Sequence, residues 1–152
     1  MALKVTLVGH SYVRRLMDYR IENEESPFSM SVDNVSMTLS FVHQGGKGYE
    51  FFNSSEAHKA QIVMSRPDII LVILGGNGVS SGAEIPTVSA QMRKFHEWLR
   101  GACPGAIIIA AESEPRYDLN LTDNKGNPVE SYKERRNAFN QALNRTKSKD
   151  FY

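Results

Sequence analysis

An α/β fold, a parallel sheet with helices on both of its faces, is what this chain of 152 residues predicts. Three observations carry that expectation. "KVTLVG" (4–9), "DIILVILGG" (68–76) and "AIIIAAE" (106–112) are apolar runs without period-2 alternation, as strands covered on both faces are. The stretches between them read as helices. Strand-like and helix-like segments also alternate along the chain, the order that right-handed crossovers fold into a parallel sheet.

The first run meets Gly9-His10-Ser11 and passes into a helical stretch starting at Ser11, "SYVRRLMDYRIENEE". A fourth strand candidate, "MTLSFVHQ" (37–44), alternates more than the others and belongs nearer an edge. "YEFFNSSEAHKAQIVMSR" (49–66) reads as one helix stopped by Pro67, which also opens the next strand. A further helix over 85–102 ends near Gly101 and Pro104, with Phe95 and Trp98 at helical spacing as packing residues. The polar, turn-rich stretch 114–130 reads as a long loop, and the last helix covers 130–148. The basic cluster Lys133, Arg135, Arg136, Arg145, Lys147 and Lys149 alternates with acidic residues and is expected to form a solvated face.

Composition narrows the class. Apolar residues make up 41% and charged ones 23%, ordinary for a soluble single domain with a sizeable core. No apolar stretch approaches the roughly 20 residues that span a bilayer, and no secretory leader is evident. The single cysteine, Cys103, excludes an internal disulfide and agrees with a cytoplasmic setting. A net charge of +1 gives no reason to expect a nucleic acid or a membrane as partner.

In parallel sheets the active groups lie at the C-terminal ends of the strands. Here those ends carry Ser11, "HQGGKG", "GGNG" and "ESEPR". Gly9-His10-Ser11-Tyr12-Val13 lacks the second glycine of a nucleophile elbow. "GGKGYE" fails as a phosphate-binding loop in spacing and hydroxyl residue, and no dinucleotide fingerprint follows the first strand. The four histidines and one cysteine make no metal-ligand spacing, so neither metal nor cofactor is expected. A different set survives. Ser11 at a helix N-terminus sits beside unpaired backbone N–H groups, Gly46 lets backbone approach a substrate, and the Asn77 amide supplies another donor. Together they can hold the oxyanion that develops when a hydroxyl attacks a carbonyl. The competing reading makes Ser11 an ordinary helix cap and Asn77 a turn residue.

With these blocks in order, the chain resembles the SGNH (GDSL-type) hydrolases; more narrowly, "VGHSYVRRL" with "RRNAFNQALN" is similar to the SGNH domains of invertebrate proteins, some encoded by retrotransposons. "VTLVGHS" is similar to the family's first block, "HQGGKG" to the second and "VILGGNG" to the third. The resemblance implies a three-layer α/β/α sandwich of flavodoxin-like order 2-1-3-4, counting the four expected strands. It implies a serine ester hydrolase on a small-molecule acyl or acetyl ester, with Ser11 as nucleophile and Ser11, Gly46 and Asn77 as oxyanion donors. Two departures stand out. Gly78 occupies the place of the usual aspartate, and the D-x-x-H block that supplies the base and its orienting carboxylate is absent, as is the last strand.

The chain therefore reads as one domain over 1–152 that is C-terminally truncated, with histidine and aspartate supplied by further sequence. His43, at the end of the second expected strand, is the substitute base within these residues. His10 is expected to diverge from Ser11, and His58 and His96, inside helices, are expected to be solvated or boundary residues. The alternative is a non-catalytic binding module that keeps the pocket without the chemistry. The open edge left by the missing strand is expected to favour self-association.

Overall fold

In the computed structural model, residues 1–23, 26–115, 122, 125–126, 131–147 and 151–152 are described. Five strands form one sheet: β1 (Leu3–Gly9), β2 (Ser29–Val32), β3 (Val35–His43), β4 (Ile69–Ile73) and β5 (Ile107–Ala110). Their order is β2-β3-β1-β4-β5. The four expected strands are β3, β1, β4 and β5, paired in parallel in the expected order. β2 makes the sheet mixed, because it pairs antiparallel with β3.

That edge hairpin escapes a search for apolar runs, since "SMSV" is short and half polar. Its signal is the turn. Asp33 and Asn34 both have positive φ, 48° and 66°, as a two-residue type I′ turn demands. Arg20 ties the hairpin to the preceding helix, its guanidinium donating to the carbonyls of Pro27 (3.0 Å) and Ser29 (2.8 Å).

The helices are α1 (Ser11–Asn23), α2 (Tyr49–Ser54), α3 (Glu56–Met64), α4 (Gly75–Ser80), α5 (Ile85–Ala102) and α6 (Tyr132–Asn144). The single helix expected over 49–66 is broken at Ser55, which adopts an extended backbone and caps α3 by accepting from the His58 N–H. The strand expected over 68–76 ends at Ile73, and its glycines enter α4 instead. Most of the expected 114–130 loop, and the end of the last expected helix at Ser148, lie outside the described residues.

The two faces of the sheet are unequally covered. The main core joins Val8, Val42, Ile70, Val72 and Ile108 to rings and side chains of α2, α5 and α6, notably Phe52, Phe95 and Phe139. On the opposite face α1 packs on β1 and β3, burying Leu7, Val13 and Leu39. β5 was expected to be covered on both faces. It is not: Ile107 and Ile109 are 42% and 37% exposed, because α1 packs over β1 and β3 rather than over β5.

No strand follows β5 among the described residues, yet its outer edge is met in part. Phe151 forms a parallel bridge with Ile108, the Tyr152 N–H donates to the Ile108 carbonyl (2.8 Å), and the Ala110 N–H donates to the Tyr152 carbonyl (2.6 Å). Phe151 is buried, its ring 4.7 Å from that of His96 and covered by the Arg100 guanidinium. Among the described residues no helix is long and apolar enough to cross a membrane.

Candidate active site

Three strands end together. Gly9 stands in register with His43 of β3 and Ile73 of β4. The Gln44 N–H donates to the Gly9 carbonyl (3.1 Å), and the His10 N–H to the Ile73 carbonyl (3.4 Å). A Cβ on Gly9 would lie 2.7 Å from the Ile73 carbonyl oxygen and 2.5 Å from a Val13 methyl, so only glycine fits where β1 turns into α1.

Ser11 is the first residue of α1, and it does not cap that helix. The cap is His10, whose carbonyl accepts from Val13 (3.1 Å) and whose Nδ1 accepts from the Tyr12 N–H (3.4 Å). The Ser11 hydroxyl, half-buried, has no hydrogen-bond partner among the described residues. Its backbone N–H belongs to the first turn of α1, whose donors have no partner within the helix.

Gly46 lies in the turn after β3 with φ +71°, a left-handed conformation that glycine adopts without penalty. Asn77 stands in α4, not in a free turn, and its Nδ2 donates to the Lys47 carbonyl (2.9 Å). That bond fixes the rotation of the amide, turning its nitrogen toward the 46–48 turn. Gly46 and Asn77 accordingly line one cavity of about 440 Å³, together with Gly48, Tyr49, Phe51 and Gln91. Ser11 and His43 belong to the same edge of the sheet but do not line this cavity.

The histidines divide clearly. His58 is a clamp: its Nε2 donates to the His43 carbonyl (3.2 Å), which leaves Nδ1 to accept from the Ser55 hydroxyl (2.6 Å). His96 was expected at a boundary or in solvent and is instead 2% exposed, its Nε2 paired with the Tyr49 hydroxyl (3.0 Å). Burial first, and the Arg100 charge second, pull the His96 imidazole down to about 3, so the ring is neutral near pH 7. Burial likewise pushes the Tyr49 phenol upward. His43 is half-buried, and its side chain has no hydrogen-bond partner among the described residues. Because Val42 enters the main core, the period of two places His43 on the face that carries α1.

Sequence reasoning missed three contributors. Lys47 acts through its carbonyl, and Tyr49 forms a cavity wall held by His96. Arg135 was expected on a solvated face but is 4% exposed. Its guanidinium donates to the Val79 carbonyl (2.8 Å) and to that of Ala83, holding the end of α4 and the segment that follows it. Only the turn of α6 toward the core distinguishes Arg135 from its exposed neighbour Lys133, and the sequence marks it no further than by helical spacing from Tyr132 and Phe139. No cluster of three or more His, Cys, Asp or Glu able to hold a metal occurs among the described residues.

This is the fold of GDSL-like lipases and esterases, the SGNH hydrolase fold. A GDSL-like protein from Parabacteroides merdae aligns with a TM-score of 0.61 at 10% identity, over 95% of this chain and 74% of its own. The psychrotrophic esterase EstA from a Pseudoalteromonas species gives 0.57 at 15% identity, over 94% and 73%. A carbohydrate esterase of family 3 from Talaromyces cellulolyticus gives 0.57 at 14% identity, over 98% and 76%. No protein-family model matches the sequence, and no curated protein matches it.

Proposed function

We propose that this chain is a serine ester hydrolase in which the Ser11 hydroxyl attacks an acyl carbonyl. The observation that carries the reading is the Ser11 hydroxyl itself: it heads α1, is relieved of capping by His10, and has no partner among the described residues. As Ser11 Oγ bonds to the carbonyl carbon, the carbonyl π electrons move onto oxygen. That oxygen is received by the backbone N–H groups of Ser11 and Gly46 and by the Asn77 amide. Collapse of the intermediate expels the alcohol and leaves an acyl-serine, which water then hydrolyses.

The attack needs a proton acceptor. Of the four histidines, His10 caps α1, His58 clamps β3 to α3, and His96 is buried against Tyr49. His43 is the base that remains, on the α1 face and directly across from Gly9 in the β1–β3 pairing. Solved structures of the same fold described as esterases support an ester as substrate.

Hydrolysis of p-nitrophenyl acetate and butyrate tests this, with wild type, Ser11→Ala and His43→Ala purified identically. Turnover that falls about 100-fold or more in each variant is expected. Rates indistinguishable between wild type and Ser11→Ala would overturn the reading and leave a non-catalytic binding module. Loss in Ser11→Ala but not in His43→Ala would move the base to sequence outside these residues.

A further inference from the structure

Of the two adjacent arginines of α1, only Arg14 has its charge balanced. It faces Asp18 one turn on, with Nε 3.6 Å from the carboxylate. Arg15 has no carboxylate and no hydrogen-bond partner among the described residues. Its guanidinium reaches back toward the start of the helix and lies 5.6 Å from the centre of the Tyr12 ring. A long side chain on a helix leans this way, over the turn N-terminal to its own Cα.

Tyr12 is itself held. Its ring lies 5.0 Å from that of His10, and His10 is 1% exposed. A buried ring therefore anchors an exposed one, which in turn carries the guanidinium. A cation–π contact orients an arginine without neutralising its charge. Laid on a ring, the planar group keeps its N–H fork available to a carboxylate or phosphate.

Ser11 stands between His10 and Tyr12 in sequence and four residues before Arg15, the spacing that puts two side chains on one helix face. The Ser11 hydroxyl and the Arg15 guanidinium accordingly belong to the same side of the start of α1. No acidic side chain occupies the first turn to oppose an incoming anion. An ester held with its carbonyl at Ser11 has its neighbouring atoms within the field of the one unbalanced arginine of this helix start.

We propose that Arg15 is a specificity-determining residue, its guanidinium receiving a negative charge carried by the ester, so that the substrate class is an anionic ester with a carboxylate or phosphate close to the scissile carbonyl. This rests on the reading of Ser11 as the nucleophile, and matched esters separate the two. 4-Acetoxybenzoate and its methyl ester carry the same acetyl group, one on a charged and one on a neutral phenol; 4-acetoxyphenyl phosphate exchanges carboxylate for phosphate. Acetate release gives the ratio of kcat/KM for each charged ester to that for the neutral one, in wild type, Arg15→Gln, Arg15→Lys and Arg93→Gln. Comparing that ratio between proteins cancels the intrinsic reactivities of the esters. Arg93 lies exposed on α5, on the other face of the sheet, so Arg93→Gln removes the same charge far from Ser11.

Arg15→Gln is expected to lower the ratio about 3- to 5-fold for at least one of the two anions, as an exposed ion pair allows, and the larger fall identifies the group recognised. Arg15→Lys, which keeps the charge without the fork, is expected to retain part of the preference. A ratio in Arg15→Gln within about 1.5-fold of wild type for both anions overturns the assignment. So does an equal fall in Arg93→Gln, which would make net charge the cause. Failure of the hydrolase reading shows differently, as acetate release that Ser11→Ala does not lower.

Discussion

Protonation of one buried ring should set the acid limit of this fold. His96 has a folded-state value of about 3 against an ordinary 6.5. Between those values the unfolded chain carries a proton at this position that the folded chain does not. The stabilising contribution is therefore complete above pH 6.5 and is lost progressively as the pH falls toward 3. From pH 7 to pH 5 the unfolded ring is stabilised by about 2 kcal/mol, a large share of a small domain's stability. Burial holds the folded ring neutral and the Arg100 charge adds to it; a Tyr49 hydroxyl sits on Nε2, the Phe151 ring lies alongside, and the buried Nδ1 has no partner among the described residues. Urea midpoints of wild type and His96→Gln at pH 7 and pH 5 isolate this contribution, because other titrating groups cancel in the difference of differences. Wild type should lose about 2 kcal/mol more than the variant over that interval. Equal losses, within about 0.5 kcal/mol, would refute the account of His96 as a buried neutral ring.

Two further outcomes concern the β5 side of the sheet. Phe151→Ala removes a buried ring that packs on His96 and begins the pairing with Ile108, and should cost about 3–4 kcal/mol in chemical denaturation. A loss below about 1 kcal/mol would mean that Phe151 is not seated there in solution. The partly paired β5 edge, with Ile107 and Ile109 exposed beside it, should drive concentration-dependent self-association, relieved by Ile109→Lys. A monomer of unchanged mass by light scattering at high concentration would count against that surface.

What the sequence by itself determined was the frame of the molecule. Strands buried in the middle of a parallel sheet are written as continuous apolar runs, so β1 and β4 and their order were legible. The polar and glycine residues just past the ends of β1, β3 and β4 placed Ser11, Gly46 and Asn77 at one edge. Pro67 stopped α3 and Gly9 opened α1 for reasons confined to a few residues of backbone. Tertiary structure decided the rest, wherever a residue's role depends on a partner far along the chain. Helical periodicity says that His96 and Arg135 lie on helices. Only the packing of α5 against α2, and of α6 against α4, turns them inward to Tyr49 and to the carbonyls of Val79 and Ala83. Whether Ser11 or His10 caps α1 is a choice between adjacent polar residues, made by the geometry of the strand exit. The orientation of Gln91 is set by Asn53, 38 residues away in sequence. Local propensity has no access to such long-range pairings, and they decide which side chains at the sheet edge remain available for chemistry.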